Sequence, residues 1–566
     1  MSAKPEDSDL EKLHLDTAGL LLDWARLLAP HCGPSGSMDL DLRDWPTAQG
    51  PSYYNQFSHH AFLLLATGEV PGATGAERED YLRLALKNIE YVLAITDGEF
   101  HTPHFSRGRE WGRHIGEWLN FYLLCSLELM ERHGLGTEEL RGRLSVAVAG
   151  AVGALHARFV EKYRQTPREF VGNHDTWHGL LFFRAGRHFQ RTEWTDYACD
   201  FFTRCVLPFQ TADGYWPEGH GIVVGYALVT AQAVSLYAEL SGDAAAHASI
   251  GRFAGFLAQL SFPDGTCSVA LDVRMRYHPA PFMFLAPGFL RCAAGRELVR
   301  HRLPAARAHL HHAGVRDNAA QAFAFFGSFA EHVFAPGGDR REIALHLPRS
   351  LPAARLSTGK WQVCLAWQVV PEHPSRFVLD TQNFIELWHG DAGYLAGTGG
   401  SKFMPRFSTV RRTNGGRAYI PDQARCLRAD RNSAEACFGF GPDEVAVRVT
   451  IADGKCLVSA RVANAQPGAE YEFGLILALK AGDVLTSEHG TDRLDPSVLI
   501  HHGGCPRPQQ SFQWRGLAWR LPEGALLDYP LVPHNSYTQD GLPAREDYVG
   551  RLSFPLTTQE KVLAIG

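Results

Sequence analysis

Two short stretches of the sequence hold side chains suited to acid–base chemistry. Residues 172–179 read GNHDTWHG, residues 213–221 read DGYWPEGHG, and Tyr226 follows at the start of an apolar, helix-like run. Amide, imidazole and phenol groups can bind an anion, accept a proton and donate one. The set therefore fits removal of a proton beside a carboxylate, followed by protonation of a leaving group.

A uronic acid sugar presents the bonds that such a reaction needs. Its C5 proton can be removed only when hydrogen-bond donors or cations neutralise the adjoining carboxylate. A base is then required near C5 and an acid near the glycosidic O4. Asn173 supplies an amide donor, and either His174 or His220 supplies a base. Tyr226 supplies a phenol that could act as the acid and, beside cationic groups, also as the base.

Each of these residues also has an ordinary structural interpretation. Asn173 is a favoured residue at a helix N-cap, and Tyr226 on an amphipathic helix fits a core position equally well. Asp213 and Gly214 form a turn signal in their own right. The catalytic interpretation depends on the two stretches acting together.

Further side chains are candidates for binding a sugar chain. Arginine forks bind carboxylate or sulfate groups, and indole faces pack against pyranose rings. The arginine-rich segment 106–114 fits a solvated loop equally well. The predicted substrate-binding residues are Arg107, Arg109, Trp111, Arg113, Trp177, Trp216, Glu218, Arg274 and Arg276.

Composition limits the class of protein. A chain of 566 residues is too long for a single core, and its 45% hydrophobic and 20% charged residues are typical of globular domains. The net charge of -6 gives no general attraction to nucleic acid or to an anionic membrane. Eleven cysteines without a CxxC pair favour a reducing compartment. We expect a cytoplasmic protein without a signal peptide or a membrane-spanning run; a periplasmic or secreted protein whose leader was removed would look the same.

Hydrophobic periodicity predicts two kinds of structure in sequence. Apolar residues recur at helical spacing from about residue 10 to 330, with short Gly, Pro and Asp connectors. Because no strict repeat is present, a closed ring of helical hairpins is favoured over a solenoid. From residue 343 onward, alternating β-branched segments indicate an antiparallel sandwich. We predict an α+β multidomain chain, an α/α toroid over residues 1–335 and a β-sandwich over residues 336–566.

This order of domains, together with the Asn-His pair 52 residues before Tyr226, resembles polysaccharide lyases of the heparinase II/III type and their alginate-lyase and dermatan-sulfate-epimerase relatives. The resemblance implies that Asn173 neutralises the carboxylate, that His174 is a base or a neutraliser, and that Tyr226 is the acid. The related hyaluronate and chondroitin lyases place the base shortly before the tyrosine, where this chain has His220. The choice between His174 and His220 as the base therefore remains open.

The resemblance also implies a contribution from the sandwich. Heparinase-type enzymes bring a histidine from that domain to the cleft, and His389 is the nearest match, with Gln382 and Asn383 as alternatives. No cofactor is required, although a structural divalent metal could join His389 and Asp391. The other histidine-rich runs, 101–104 and 309–312, lack carboxylate or cysteine partners and are predicted to be surface histidines rather than metal ligands.

The leading hypothesis is a lyase that β-eliminates a 4-linked uronate from an anionic polysaccharide or oligosaccharide. A C5-epimerase would use the same proton abstraction. A glycoside hydrolase on an α-toroid would use paired carboxylates among Asp175, Asp213 and Glu218. A carbohydrate-binding scaffold would need only the indole faces. The sequence specifies neither the polymer nor an oligomeric state.

Overall fold

The computed structural model describes most of the chain. The described residues are 5–38, 40, 56–106, 109–110, 112, 115–165, 171–218, 221–274, 284–313, 319–335, 342–343, 351–397, 400–488, 490–503, 511–538 and 540–566. Within them, α-helices come first along the chain. They are α1 (Pro5–Leu28), α2 (His59–Thr67), α3 (Gly75–Ile95), α4 (Glu117–His133), α5 (Glu138–Gln165), α6 (Asn173–His188), α7 (Thr192–Phe201), α8 (Val224–Ser241), α9 (Ala244–Leu260), α10 (Ala293–Ala313) and α11 (Ala319–Phe334).

Most strands follow the last α-helix, and the first two lie between α3 and α4. They are β1 (Phe105–Ser106), β2 (Arg109–Glu110), β3 (Ala353–Thr358), β4 (Trp361–Ala366), β5 (Thr381–Gln382), β6 (Ile385–His389), β7 (Gly393–Ala396), β8 (Gly400–Ser401), β9 (Val410–Asn414), β10 (Arg417–Tyr419), β11 (Gln423–Ala429), β12 (Ser433–Phe440), β13 (Asp443–Ala452), β14 (Lys455–Asn464), β15 (Glu470–Leu477), β16 (Val484–Ser487), β17 (Gly490–Arg493), β18 (Ile500–Gly503), β19 (Ser511–Trp514), β20 (Leu517–Arg520), β21 (Leu526–Leu531), β22 (Val549–Leu556) and β23 (Lys561–Ile565).

The chain divides into two compact units. The first comprises Met1–Gly219, Gly225–Ala258 and Pro281–Pro348, and the second comprises His220–Val224, Gln259–Ala280 and Arg349–Gly566. Helices followed by antiparallel strands confirm the predicted fold class. The predicted boundary at residue 335 adjoins residues 336–341, which lie outside the described part, and it stays a prediction.

The helices of the first unit close into a ring of hairpins. Sequential neighbours pack as pairs, α2 with α3, α4 with α5 and α6 with α7. Across the pairs, α2 contacts α4, and α4 contacts α6. The ring continues from α6 to α8, where Trp177 donates to the carbonyl of Val229, and from α8 to α11, where Gln232 donates to the carbonyl of Phe325. It closes because α11 packs against α2, with α1 packed against α10 and α11. The predicted toroid is thereby confirmed.

Three inner helices of this ring run parallel and in register. Phe121 of α4 packs against Trp177 of α6, with ring centres 5.2 Å apart, and Arg184 of α6 donates to Glu128 of α4. Trp177 in turn donates from Nε1 to the carbonyl of Val229 in α8 at 3.0 Å. These pairs are 56, 56 and 52 residues apart, so the three helices point the same way. Their N-terminal turns therefore lie at the same end of the ring.

The sequence explains which helices line the interior. In α4 nearly every residue from Glu117 to Met130 is buried, as expected of a helix that is apolar on all sides. In α3, by contrast, buried residues recur at helical spacing on one face, and a reciprocal capping box between Thr74 and Glu77 fixes its start. The all-apolar helix is thus inner and the amphipathic helix outer.

One helix of the described chain is long and apolar enough to span a membrane. This segment, Glu138–Tyr163 of α5, meets the criteria of length and composition, which the sequence prediction had not recognised. In the structure α5 packs against α4 and α6 as a member of the ring. The segment is therefore one of the packed helices of the first unit.

Two antiparallel sheets of the second unit share one core. The first runs in the order β18-β21-β22-β15-β7-β6-β4-β3, with β9 beside β15 and β10 beside β9. The second runs in the order β11-β12-β13-β14-β23-β20-β19-β16-β17. Alternate residues of β13, from Val445 to Ile451, are buried in one apolar cluster with Val363 and Leu387 of the other sheet. Because every second residue is buried, one face of each sheet lies in the shared core, as in a β-sandwich.

Candidate functional site

The N-terminal turns of α4 and α6 hold a buried carboxylate and an imidazole in direct contact. Glu117 is the first residue of α4, and its side chain has no exposure to solvent. It pairs with Nδ1 of His174, the second residue of α6. Gly116 donates its backbone N–H to the other carboxylate oxygen, Oε2, at 3.0 Å. The carboxylate is thus fixed by its own helix terminus and points at the imidazole.

A second histidine shares the same carboxylate. His178, one helical turn after His174, places Nε2 3.5 Å from Oε2 of Glu117. Burial raises the pKa of the Glu117 carboxyl, but the charges of His174 and His178 outweigh burial and lower it to about 2. Glu117 is therefore ionised at neutral pH and can only accept hydrogen bonds. It follows that Nδ1 of His174 carries a proton.

His174 is held so that its second nitrogen is available. Its ring stacks on Trp118 with centres 4.4 Å apart, and 33% of its side chain is exposed. No described residue hydrogen-bonds to its Nε2. Burial lowers the pKa of His174, but Glu117, with smaller contributions from Glu218 and Asp175, raises it above its ordinary value. The arrangement favours an imidazolium that can donate from Nε2 or, once deprotonated there, accept a proton.

Asn173 lies beside this pair but is turned toward a carboxylate. Its Nδ2 donates to Oε2 of Glu218 at 3.3 Å, and only 2% of the residue is exposed. Its Oδ1 is buried without a partner among the described residues. One amide N–H remains after the bond to Glu218. The alternative prediction, that Asn173 is a helix N-cap, is wrong: Gly172 occupies the cap, and Asn173 is the first residue of α6.

Tyr226 lies at the matching end of α8. It is the third residue of that helix and is half-buried. The α6–α8 register pairs Trp177 with Val229, Phe183 with Tyr237 and Arg187 with Leu240, offsets of 52 to 54 residues. Continued one turn toward the N-termini, the same offset places position 226 opposite His174. The two residues are therefore brought to neighbouring helix ends.

The carboxylates proposed for hydrolysis have other partners. Asp175 accepts from Lys162 at 3.0 Å and from the backbone of Gly172, which stabilises the start of α6. Glu218 accepts from Asn173. Asp213 belongs to the turn around Gly214, whose φ of 95° is one that glycine adopts readily. These contacts give Asp175 a helix-capping role.

Two of the three predicted sugar-stacking indoles are core residues, which corrects the sequence prediction. Trp177 has no exposure and packs between Phe121 and Phe325. Trp216 is 1% exposed, and its Nε1 donates to the carbonyl of Val206 at 2.9 Å. Neither ring has a face open to a sugar. The sequence could not separate the two cases because buried and sugar-binding tryptophans both prefer a partner for the indole N–H.

Several predicted residues fall outside the described part of the chain. They are Arg107, Trp111, Arg113, His220 and Arg276. Arg109 lies on β2, which pairs with β1 in a short antiparallel ladder. Arg274 belongs to the second unit, where its guanidinium lies 4.9 Å from the ring centre of Phe377.

The sandwich residues His389 and Asp391 are tied to their own strand ends. His389 is 7% exposed, packs edge-on against Trp361, and accepts from the backbone N–H of Asp391 at 3.3 Å. The Asp391 carboxylate pairs with Lys360 at 2.5 Å. Within the described ranges no group of three or more His, Cys, Asp or Glu side chains could hold a metal ion. These two residues do not fit the structural metal that the resemblance would allow.

Gln382, the alternative to His389, is 4% exposed, and both its amide atoms lack a described partner. Its neighbour Asn383 is 1% exposed. Both lie in the sandwich unit.

Both histidines of the 101–104 run are buried, contrary to the surface position predicted for them. His101 is 8% exposed and His104 is 1% exposed. Burial, together with the charge of His174, lowers the pKa of His104 to about 3. His104 is therefore a neutral imidazole near His174. In the 309–312 run, His311 pairs with Asp23 at 3.0 Å and links α10 to α1.

Similarity of this chain to known proteins is found among solved structures. The sequence matches no protein-family model and no curated protein. Solved structures do match. A Paenibacillus xanthan lyase is 9% identical, covering 100% of this chain and 57% of that chain, with a TM-score of 0.48. A Streptomyces coelicolor chondroitin AC lyase, in complex with chondroitin sulphate, is 14% identical, covering 100% and 80%, with a TM-score of 0.47.

A heparinase III structure is 11% identical, covering 96% of this chain and 83% of that chain, with a TM-score of 0.44. The polysaccharide lyases named by the sequence resemblance are thus among the structures to which this chain is similar. At these identities the likeness concerns the fold alone.

Sequence reasoning missed Glu117 and His178. Glu117 stands alone at the start of an apolar run, 57 residues before its partner, so no local pattern connects them. A charge inside an otherwise apolar helix was the available signal, because buried carboxylates need a partner. His178 was visible as the second histidine of an i, i+4 pair on one helix face.

Proposed function

We propose that this chain is a polysaccharide lyase that cleaves a 4-linked uronate by β-elimination. The observation that carries the proposal is the buried, ionised Glu117 holding Nδ1 of His174 at the end of the ring where Tyr226 begins α8. A carboxylate–imidazole pair beside a phenol supplies both a cation for the substrate carboxylate and a group that can transfer a proton.

His174 is the carboxylate-neutralising group in this proposal. The Glu117 carboxylate raises the pKa of His174 above its ordinary value, which favours the charged ring, and its Nε2–H is the donor left after Nδ1 binds Glu117. Donation from Nε2 to the uronate carboxylate stabilises the negative charge that builds up when C5 loses its proton. Glu117 is the positioning residue that fixes the tautomer and the direction of the ring.

Tyr226 is the proton-transfer group. A neighbouring imidazolium stabilises a phenolate, so the register of α6 and α8 gives Tyr226 a cation at the right helix end. The Tyr226 phenolate takes the C5 proton and becomes a phenol. The C5–H electrons form the C4–C5 double bond, and the C4–O4 bond breaks. The phenol then gives its proton to O4. His220 remains the alternative base.

The proposal is tested by incubating the protein with a panel of uronate polymers and following the ultraviolet absorbance of the unsaturated product. Growth of that absorbance on at least one polymer is expected. Cleavage without absorbance would indicate hydrolysis, and exchange of the C5 proton with solvent without cleavage would indicate epimerisation. Either outcome, or no reaction with any polymer, contradicts the proposal.

A further inference from the structure

The helix that carries Tyr226 begins without a local cap. Helix α8 starts at Val224, and the residue before it is Val223. The first N–H groups of a helix have no partner within the helix, and a Ser, Thr, Asp or Asn side chain at the cap usually binds one of them. Valine has no side-chain acceptor. The first turn of α8 therefore depends on an acceptor from elsewhere in the chain.

That acceptor is Asp272, 48 residues after Val224. Its Oδ2 accepts from the backbone N–H of Val224 at 2.8 Å. Both residues belong to the second unit, and Asp272 is 2% exposed. A carboxylate at the N-terminus of a helix also interacts favourably with the helix dipole. Asp272 thus takes the part of an N-cap residue for α8.

The Asp272 side chain is fixed through its other oxygen. Oδ1 accepts from the backbone N–H of Arg274 at 2.8 Å, which closes a short turn. The N–H of Asp272 itself donates to the carbonyl of Val269 at 3.0 Å. Because one carboxylate oxygen is bound within the turn, the other is directed at Val224. The same carboxylate therefore fixes the start of α8 and the backbone of Arg274, a predicted substrate-binding residue.

Backbone hydrogen bonds hold the residues before α8 against the residues around Asp272. Val273 donates to the carbonyl of Ile222 at 2.9 Å, and Leu379 donates to the carbonyl of Val273 at 2.8 Å. Gly221 lies close to the same valine, since a Cβ added there would meet Cγ1 of Val273 at 3.0 Å. The chain is thus fixed before the helix begins.

The segment that carries Asp272 is anchored in turn on strand β6. Glu386 of this strand is fully buried and accepts from the backbone N–H of Val269 at 2.8 Å. Trp388 of the same strand donates from Nε1 to Asp264 at 2.7 Å. These contacts lie within the second unit. The acceptor for α8 is therefore held by a segment that is itself tied down at two points.

We propose that Asp272 is a positioning residue that fixes the first turn of α8 and thereby the phenol of Tyr226. The inference rests on the proposed function for the role of that phenol. Tyr226 is two residues after Val224, within the turn whose first N–H the cap binds. Without the cap this turn frays, and the phenol loses the fixed direction that proton transfer needs. Asp272 acts through Tyr226 and is not itself a catalytic residue.

Removing the cap and then restoring it tests the proposal. Asp272→Ala removes the acceptor. Adding Val223→Thr to that variant places a hydroxyl acceptor at the local cap position, in a side chain of nearly the same shape. Asp272→Asn keeps one acceptor for the two N–H groups that the carboxylate binds, and it is the milder variant where Asp272→Ala does not fold.

The matched control is Thr74→Ala, which breaks the capping box at the start of α3, a helix without candidate site residues. Hydrogen–deuterium exchange of the amides at residues 224–227 and 75–78 reports each cap whether or not a substrate is known. The kcat on a uronate polymer that the unmodified protein cleaves reports the position of the phenol, because kcat does not respond to weaker substrate binding alone.

Asp272→Ala should raise exchange at residues 224–227 by about 5- to 30-fold, the effect of a lost N-cap. It should lower kcat by about 10- to 100-fold through the displaced phenol. Asp272→Asn should give smaller changes in the same direction, and Val223→Thr should reverse most of both changes. Thr74→Ala should raise exchange at the start of α3 alone and leave kcat unchanged.

Three results would overturn the proposal. They are unchanged exchange at the start of α8 in Asp272→Ala, raised exchange there with unchanged kcat, and a kcat that stays low after Val223→Thr has restored the exchange. Failure of the unmodified protein to eliminate any uronate polymer, together with the expected exchange, would overturn the proposed function and leave the cap of α8 standing.

Discussion

The buried carboxylate of Glu117 accepts a hydrogen bond from Nδ1 of His174 across two parallel helix ends. Because the pKa of Glu117 is lowered to about 2, the proton of this bond belongs to the histidine. The contact fixes which ring nitrogen can reach a ligand. It also couples the charge of His174 to a carboxylate with no exposure to solvent.

Replacing Glu117 with Gln should expose that coupling. The substitution removes the negative charge that raises the pKa of His174, so this pKa should fall. If the imidazolium is the active form, activity is lost above that pKa, and the alkaline limb of the pH–kcat profile moves to lower pH. We also expect kcat to fall by about 10²-fold.

The matched control is Glu69→Gln. Glu69 accepts from Arg132 at 2.6 Å and from His133 at 2.7 Å, which reproduces a Glu–His pair on the exposed surface of the same unit. Its pH profile should match that of the unmodified protein. If Glu117→Gln shifts the acidic limb instead of the alkaline limb, His174 acts as the base. If neither limb shifts, His174 takes no part in the reaction.

Tyr226→Phe removes the phenolic proton while keeping the ring. Elimination should slow by about 10³-fold, within the range for loss of a general acid or base, with little change in KM. Tyr237→Phe on the same helix serves as the control, since Tyr237 stacks on Phe202 in the core with ring centres 3.8 Å apart. Steady-state rates on one polymer measure both variants. Near-normal turnover by Tyr226→Phe would transfer the role to another residue.

Glu386 should make the stability of the chain depend on pH. It is fully buried on β6, where it accepts from the backbone N–H of Val269 and the hydroxyl of Tyr394, each at 2.8 Å. Burial raises the pKa of its carboxyl from 4.5 to about 7. The folded state therefore holds a proton that the unfolded state releases, and the free energy of unfolding should fall as pH rises from 4.5 to above 7. The shift corresponds to about 3 kcal/mol.

Guanidinium unfolding between pH 5 and 8 measures this dependence. Glu386→Gln should flatten the slope in that window. Glu444→Gln should leave it unchanged, because burial is slight there and the Arg425 side chain lowers the pKa of Glu444 below the window. An identical slope in the protein and in Glu386→Gln would show that another group causes the dependence.

Gly186 should be required where α6 turns into α7. A Cβ at this position would meet Oγ1 of Thr195 at 2.3 Å and its backbone nitrogen at 2.7 Å, so the two helices would have to separate. Gly186→Ala should lower the free energy of unfolding by about 1–3 kcal/mol. The exposed Gly142→Ala should raise it slightly through helix propensity. A stability of Gly186→Ala equal to that of the unmodified protein would show that the hairpin relaxes freely.

The elements of this fold were more predictable than its contacts. Helical spacing and the later alternation of apolar residues, as in Val445 to Ile451, reflect burial of one face and can be read along the chain. The Asn173–Tyr226 region was located by residue type and spacing. Glu117 was not, because its partner lies 57 residues away and only the register of α4 against α6 joins them.

Exposure was the other property that the sequence did not contain. Trp177 and Trp216 have the residue type expected of a sugar platform, yet the ring of helices encloses both. Phe100, which does border a pocket, stands in an ordinary turn sequence. Which aromatic ring faces solvent is decided by the packing of helices that are far apart in the chain.

The most direct test of the central claim is the mass of the products released from a uronate polymer. Elimination divides the chain without adding water, so the fragment with the new non-reducing end should be lighter by one water than the corresponding hydrolysis product. We predict this unsaturated fragment with the unmodified protein and its near absence with Tyr226→Phe. Fragments that carry the added water, or an intact polymer after incubation with every uronate, would contradict the account.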